Sequence, residues 1–183
     1  EWGGLLSLAV NHSRPEILSM LLDWGFDPDE RTRFRDVGGD EVVFTWGMPL
    51  RYCASSCKHA MAEMLLGHGA DPNASVYASG TPVSEAYGQN DERMIALLER
   101  YGGVTEPWIA GLYRCRDKVA TLLAAAADSR RLAEDMIEQS ACGGDPEIVR
   151  AVLEHITWPR DDPRWFTVLE QPLRIWHHGS SHW

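Results

Sequence analysis

The chain has 183 residues, of which 44% are hydrophobic and 24% charged, a composition typical of folded globular proteins that excludes extensive disorder. Its formal net charge of −10 argues against a nucleic-acid partner, because an acidic surface repels the phosphate backbone. No run of about 18 apolar residues is present, so the sequence predicts no membrane-spanning helix and no membrane partner.

A short helix followed by a longer one is predicted in residues 3–29. Leu5, Leu6 and Leu8 form a first apolar stretch, and a second follows Pro15 with the three- and four-residue spacing of a helix that buries one face. Proline suits the first position of a helix, because the N–H that it lacks would have no partner there. Gly25 lies where such a helix needs a residue with positive φ to end.

A β-hairpin is predicted next, at about residues 30–46, around the turn Gly38-Gly39. Folding about this turn sets four pairs of residues opposite each other: Arg31 and Trp46, Arg33 and Phe44, Arg35 and Val42, Phe34 and Val43. Arginine beside tryptophan and phenylalanine permits cation–π contact. Two interpretations stay open: a lengthened turn that packs on its neighbours, or a projecting arm that contacts a partner.

Helix pairs like the first one recur after the hairpin. Leu50 and Val83 open equivalent apolar stretches 33 residues apart, and Gly69 and Gly102 end equivalent helices at the same spacing. From Gly25 to Gly69 the distance is 44 residues, which is one period of 33 plus an insertion of 11. A period of about 33 with two helices and a turn indicates a solenoid unit, which buries its apolar face only by stacking on copies of itself.

Residues 47–75 and 80–103 resemble ankyrin repeats. The similarity rests on Thr81-Pro82-Val83, which stands where that family has Thr-Pro-Leu, and on the turn sequence GADPNA at residues 69–74. Residues 3–29 match more loosely, and residues 137–153 match again. The resemblance implies an all-α, ankyrin-repeat solenoid of about five helix-turn-helix repeats in a single array, with the hairpin inserted after the first. Its expected repeats are residues 3–29, 47–75, 80–103, 104–128 and 132–157, with a partial one at 163–183.

The chain departs from the family at one position of each unit. A histidine usually follows Thr-Pro-Leu and ties neighbouring turns together, and the residues found there instead are Ser7, Arg51, Ser84 and Glu138. Residues 104–127 keep only a helix pair, about eight residues shorter than a full repeat.

The resemblance implies a scaffold that binds another protein through its concave face, without catalysis. In the hairpin, arginine and aromatic side chains are the residues that commonly anchor interfaces. The partner-binding hypothesis therefore names two sets of residues. The hairpin set is Arg31, Arg33, Phe34, Arg35, Phe44 and Trp46, and the set implied by the family's variable surface positions is Asn11, His12, Ser55, Ser56, Gly88 and Gln89.

No catalytic motif, cofactor motif or metal motif is recognisable, so neither an enzyme nor a cofactor is expected. Cys53, Cys57 and His59 come closest to a metal cluster, and Cys53 and Cys57 could share one face of a helix. Structural zinc needs four ligands, however, and we expect small, buried, apolar cysteines instead. Two alternative functions stay open. One is a spacer or regulatory array in a larger protein. The other is a metal- or small-molecule-binding module at the C-terminal end, built on His177, His178 and His182 or on Trp158, Trp165, Trp176 and Trp183.

The four cysteines lack the regular spacing of a secreted disulfide framework. This favours a reducing compartment, and we expect a cytoplasmic protein. Because the sequence starts at Glu1 rather than at methionine, we also expect it to be a segment of a longer chain.

Overall fold

The structure is a computed structural model that describes residues 4–35, 42–76, 80–168 and 170. These residues are mostly helical, as predicted, and the chain divides into two compact units, Glu1–Val104 and Thr105–Trp183. None of the described helices is long and apolar enough to cross a bilayer.

The first unit contains α1 (Leu5–Asn11), α2 (Pro15–Asp23), β1 (Thr32–Arg35), β2 (Val42–Thr45), α3 (Met48–Ser55), α4 (His59–Gly67), α5 (Pro82–Gly88) and α6 (Glu92–Arg100). The second contains α7 (Pro107–Leu112), α8 (Arg116–Ala125), α9 (Ser129–Gly143) and α10 (Pro146–Leu153), and residues 164–168 are also helical.

The helices of the first unit form two layers. The shorter helices α1, α3 and α5 pack side by side, and the longer helices α2, α4 and α6 pack side by side behind them. Between the layers lies a core of fully buried aliphatic side chains, among them Leu6, Leu18, Leu50, Leu65 and Leu98. Each helix pair therefore buries its apolar stripe against the next pair, as the spacing of apolar residues predicts.

One backbone conformation recurs in all the helix pairs that the structure describes. A residue with left-handed φ lies two positions before the start of the second helix of each pair: Ser13, Cys57, Asn90, Arg114 and Gly144, with φ of 52°, 53°, 52°, 63° and 71°. An L-residue adopts this conformation only at a cost of about 1–2 kcal/mol, so its recurrence indicates that every pair makes the same sharp turn. The glycines predicted to end helices, Gly25, Gly69 and Gly102, also have positive φ, which confirms that expectation.

Successive pairs are joined by the same kind of contact in both units. In the first unit, the ring Nε2 of His59, the first residue of α4, lies 2.9 and 2.7 Å from the carboxylate oxygens of Asp91, the N-cap of α6. In the second unit, Arg116, the first residue of α8, donates to Asp145, the N-cap of α10, at 2.7 and 3.0 Å. Each carboxylate thus caps its own helix and holds the preceding pair.

The first helices make different contacts at the positions where the resemblance to ankyrin repeats implies a histidine. The guanidinium of Arg51 on α3 donates to the carboxylate of Glu85 on α5 at 3.1 and 2.6 Å. Ser84 instead forms a capping box with Thr81 at the start of α5. At Ser7 on α1, the main-chain N–H donates to the carboxylate of Glu30 at 2.6 Å. The Ser7 hydroxyl is fully buried and has no hydrogen-bond partner within the described ranges.

Replacing Ser7 with alanine is expected to raise the free energy of unfolding by about 1 kcal/mol, because it removes a buried polar group that makes no hydrogen bond. Ser140→Ala is the matched control, since the Ser140 hydroxyl is also fully buried but donates to the Met136 carbonyl at 2.8 Å. Both changes gain the same small helix propensity. Urea denaturation that gave equal gains for the two variants would contradict this explanation.

The second unit is centred on α9, which packs against α7, α8 and α10. Its core is built from Ala110, Val119, Leu123, Ala133, Met136, Ile137, Ile148 and Val152. Two glycines allow close approach: a Cβ built on Gly143 would lie only 2.5 Å from the carbonyl oxygen of Gly111 on α7. The helix pair predicted in residues 104–127 is confirmed as α7 and α8. The repeat expected at residues 132–157 contains most of α9 and all of α10, but α9 begins earlier, at Ser129, where the Asp128 carboxylate caps it by accepting from the Arg131 amide.

Candidate recognition surface

The base of the predicted hairpin is present, with the predicted register. β1 and β2 are antiparallel, and the paired residues are Thr32 with Thr45, Arg33 with Phe44, Phe34 with Val43 and Arg35 with Val42. Thr32 and Thr45, which lie opposite each other, are 4% and 2% exposed. One face of the hairpin base is therefore packed against the protein, and the residues that alternate with these threonines turn the other way.

On that other face, Arg31, Phe44 and Trp46 form an exposed cluster, which we call the arginine–aromatic platform. The guanidinium carbon of Arg31 lies 3.8 Å from the centroid of the Phe44 ring and 5.4 Å from that of Trp46. Phe44 and Trp46 remain 42% and 50% exposed. The predicted proximity of Arg31 and Trp46 is thus confirmed, and Arg31 also covers Phe44. Stacking of this kind restricts a long side chain and so lowers the entropy cost of ordering it in an interface.

The remaining hairpin residues of the hypothesis are described in part. For Arg33, Phe34 and Arg35 the structure gives the main-chain pairing alone, and their side chains lie outside the described residues. The predicted turn Gly38-Gly39 also lies outside them. Their part in binding therefore stays a prediction.

The six positions implied by the family all lie at the ends of first helices. Asn11, Ser55 and Gly88 are the last residues of α1, α3 and α5, and His12, Ser56 and Gln89 are the corresponding C-caps. All are exposed except Ser55, which is half-buried. Because α1, α3 and α5 are neighbours in one layer, these positions form a row across the first unit, which we call the helix-end row.

Sequence reasoning missed a contact at the end of α1, where the first residues of this row lie. The ammonium of Lys58 donates to the carbonyls of Val10 at 2.5 Å and Asn11 at 3.3 Å, at the C-terminal end of α1. The C-terminal end of a helix carries partial negative charge, which a lysine stabilises. The sequence signal for this contact was composition, because Lys58 is one of only two lysines in the chain.

The expectation of small, buried cysteines is confirmed for Cys53 and is wrong for Cys57, which does not share a helix face with Cys53. Cys53 is fully buried in α3, and burial raises the pKa of its thiol to about 12. Cys57 lies beyond the end of α3, is exposed and has a φ of 53°. The turn into α4 needs a left-handed residue at that position, so the chain leaves the helix before Cys57 is reached. Cys115 and Cys142 are half-buried.

Among the described residues, no group of three or more His, Cys, Asp or Glu side chains is arranged to hold a metal ion. His177, His178 and His182 lie outside that part of the chain, as do Trp176 and Trp183. Trp158 and Trp165 are described and contact each other edge to face, with ring centroids 4.9 Å apart. Arg164 lies over the Trp158 ring at 4.2 Å, and the Trp158 indole donates to Glu134 at 2.8 Å. These two tryptophans therefore use much of their surface in packing within the second unit.

No model of a known protein family matches this chain, and no curated protein matches it either.

Proposed function

We propose that this chain is a repeat scaffold of the ankyrin type that binds another protein through the arginine–aromatic platform and the helix-end row. The observation that carries the proposal is the platform itself: an arginine stacked on two aromatic rings that stay about half exposed, beside a packed hairpin base. Aromatic and arginine residues supply most of the binding energy in protein interfaces. The left-handed turn repeated in every described helix pair supports the scaffold part of the proposal.

The charges near the platform suit this role. Arg31 is exposed, and its guanidinium lies over the Phe44 ring and near the Trp46 ring. The helix-end row presents exposed polar side chains, among them Asn11, His12, Ser56 and Gln89, at helix ends that carry partial negative charge. An acidic or aromatic group of the partner at Arg31 and hydrogen-bond donors along the row would fit both features.

The double variant Arg31→Ala/Trp46→Ala is expected to weaken partner binding at least about tenfold, because it removes the anchors while leaving the buried threonines in place. The measurement is affinity capture from the source lysate with mass spectrometry, followed by titration of the captured protein. Arg100→Ala/Tyr101→Ala is the matched control, because Arg100 also lies over an exposed ring, 5.3 Å from the Tyr101 centroid, at the end of α6.

Circular dichroism must first show that both variants are folded. Equal binding by wild type and the platform variant, or equal loss in the two double variants, would contradict the proposal. The former would exclude the platform, and the latter would mean that any exposed arginine–aromatic pair has the same effect.

A further inference from the structure

A second exposed feature lies on the opposite layer of the first unit, away from the helix-end row. It is a groove of about 630 Å³ along α2 and α4, which we call the α2–α4 groove. Its apolar surface comes from Met20 of α2, from Trp24 at the C-cap of α2 and from Met64 of α4. Met20 is 42% exposed and Trp24 is 70% exposed, the second-highest value among the large hydrophobic residues that the structure describes. An exposed tryptophan beside methionines is typical of surfaces that receive apolar side chains of different shapes.

Acidic groups stand at both ends of this apolar surface. Glu16 and Asp23 line the same groove and are exposed. They are seven positions apart on α2, with Met20 between them. Because a helix rises 1.5 Å per residue, the two carboxylates are separated by about 10 Å, or two turns, along the helix axis. The ring Nε2 of His68 lies 3.7 Å from the Asp23 carboxylate.

We propose that the α2–α4 groove docks a basic amphipathic helix of another protein, with two Lys or Arg residues seven positions apart and apolar residues between them. The two-turn spacing of the carboxylates matches the spacing of such residues on one helix face. The apolar residues would contact Met20, Trp24 and Met64, as in other helix-in-groove complexes. This site and its partner chemistry are separate from the platform, so an experiment can contradict one of the two proposals without contradicting the other.

Two other occupants fit the groove less well. A membrane surface carrying anionic lipid would be repelled by Glu16 and Asp23 and by the net charge of −10. A small apolar molecule needs an enclosing cavity, whereas the Trp24 side chain is 70% exposed and closes little of this one. A helix brings its own surface to cover an open groove, so it suits this shape best.

The test uses the whole chain with ¹³C-labelled methionine methyl groups and a synthetic alanine-based helical peptide. The peptide carries lysine at two positions seven apart and leucine between them. Its matched peptide has glutamate in place of both lysines. We expect the methyl signals of Met20 and Met64 to shift saturably with the lysine peptide. The glutamate peptide is expected to bind about three- to tenfold more weakly, as two exposed charge pairs would give.

The variant Glu16→Gln/Asp23→Asn should abolish the preference for the lysine peptide while keeping the apolar contacts. Asp135→Asn/Glu154→Gln removes the same charge from exposed positions of the second unit and should keep the preference. Methyl signals of Met20 and Met64 that do not move would overturn the proposal. So would equal affinity for the two peptides, or an equal effect of the two double variants.

Discussion

Replacing Gly143 with alanine is expected to lower the free energy of unfolding of the second unit by about 2–3 kcal/mol, because the added methyl group overpacks a tight contact between two helices. An alanine Cβ at this position would lie 2.5 Å from the carbonyl oxygen of Gly111 and 2.7 Å from that of Leu112. Both are main-chain atoms at the end of α7, so α7 and α9 must move apart to make room. Separating them loses contacts around Ala110, which is fully buried.

Gly67→Ala in α4 is the matched control. Gly67 is also the last residue of a helix, but a Cβ there would meet nothing within 4 Å. Alanine is therefore expected to stabilise the chain by about 0.5–1 kcal/mol through helix propensity and lower entropy of the unfolded state. If thermal or urea denaturation gives changes in the free energy of unfolding of opposite sign for the two variants, the result supports the close packing of α7 and α9. A neutral Gly143→Ala variant would contradict it.

Removing the Asp91 carboxylate is expected to cost about 2 kcal/mol at neutral pH in Asp91→Ala, because one side chain has two functions. It accepts the Met94 amide at 3.0 Å as the N-cap of α6, and it holds His59 of the preceding pair at 2.7 Å. Asp91→Asn keeps a good N-cap but loses the negative charge. We expect Asp91→Asn to lower the free energy of unfolding by less than Asp91→Ala does. The loss in Asp91→Asn reports the pairing with His59, and the additional loss in Asp91→Ala reports the cap.

The stability that Asp91 provides should depend on pH. Burial raises the pKa of its carboxyl, but hydrogen bonds from His59, the Met94 amide and the Cys57 thiol outweigh burial and hold the pKa below its ordinary value. A lowered pKa in the folded state means that this contribution is fully present above the unfolded-state pKa of about 3.9 and is lost as pH falls through the folded-state value. The free-energy difference between wild type and Asp91→Asn should therefore be present at neutral pH and shrink as pH falls through the folded-state pKa of Asp91. A difference that persisted undiminished in strong acid would contradict this assignment.

Local patterns in the sequence are enough to predict several elements in detail. Alternation around a glycine pair predicts the register of β1 and β2, including Arg33 opposite Phe44, because side chains in a strand repeat every two residues. Gly69 and Gly102 predict helix ends, because an L-residue is strained at positive φ. Both are short-range effects that depend on a few neighbouring residues, and so they can be read from the chain directly.

Contacts between distant residues could not be predicted in this way. The Glu30 carboxylate accepts from the main-chain amides of Leu6 and Ser7, more than 20 positions earlier, and no local pattern marks that pairing. The prediction for Cys57 is wrong for a related reason. Its spacing from Cys53 suits a helix, but the next helix pair needs a sharp turn there, and that tertiary requirement decides the backbone conformation. Gly111 and Gly143 likewise become meaningful only when α7 meets α9.

The two candidate surfaces differ in how far the sequence predicts them, and the helix-end row is the one that it predicts. Its six residues follow from the resemblance to ankyrin repeats, and the structure puts them at helix ends and C-caps of one layer. The α2–α4 groove could not be predicted, because Met20 and Trp24 have the same spacing as core residues of a helix. Only their exposure distinguishes them from the core.

Hydrogen–deuterium exchange of the chain, alone and with its captured partner, tests the recognition surface most directly. We predict slower exchange on binding in the peptides that contain residues 44–46 and the helix ends at 11–12, 55–56 and 88–89, with α2 and α4 unchanged. Protection confined to α2 and α4 or to the second unit, with residues 44–46 exchanging as in the unbound chain, would contradict binding through the platform and the helix-end row.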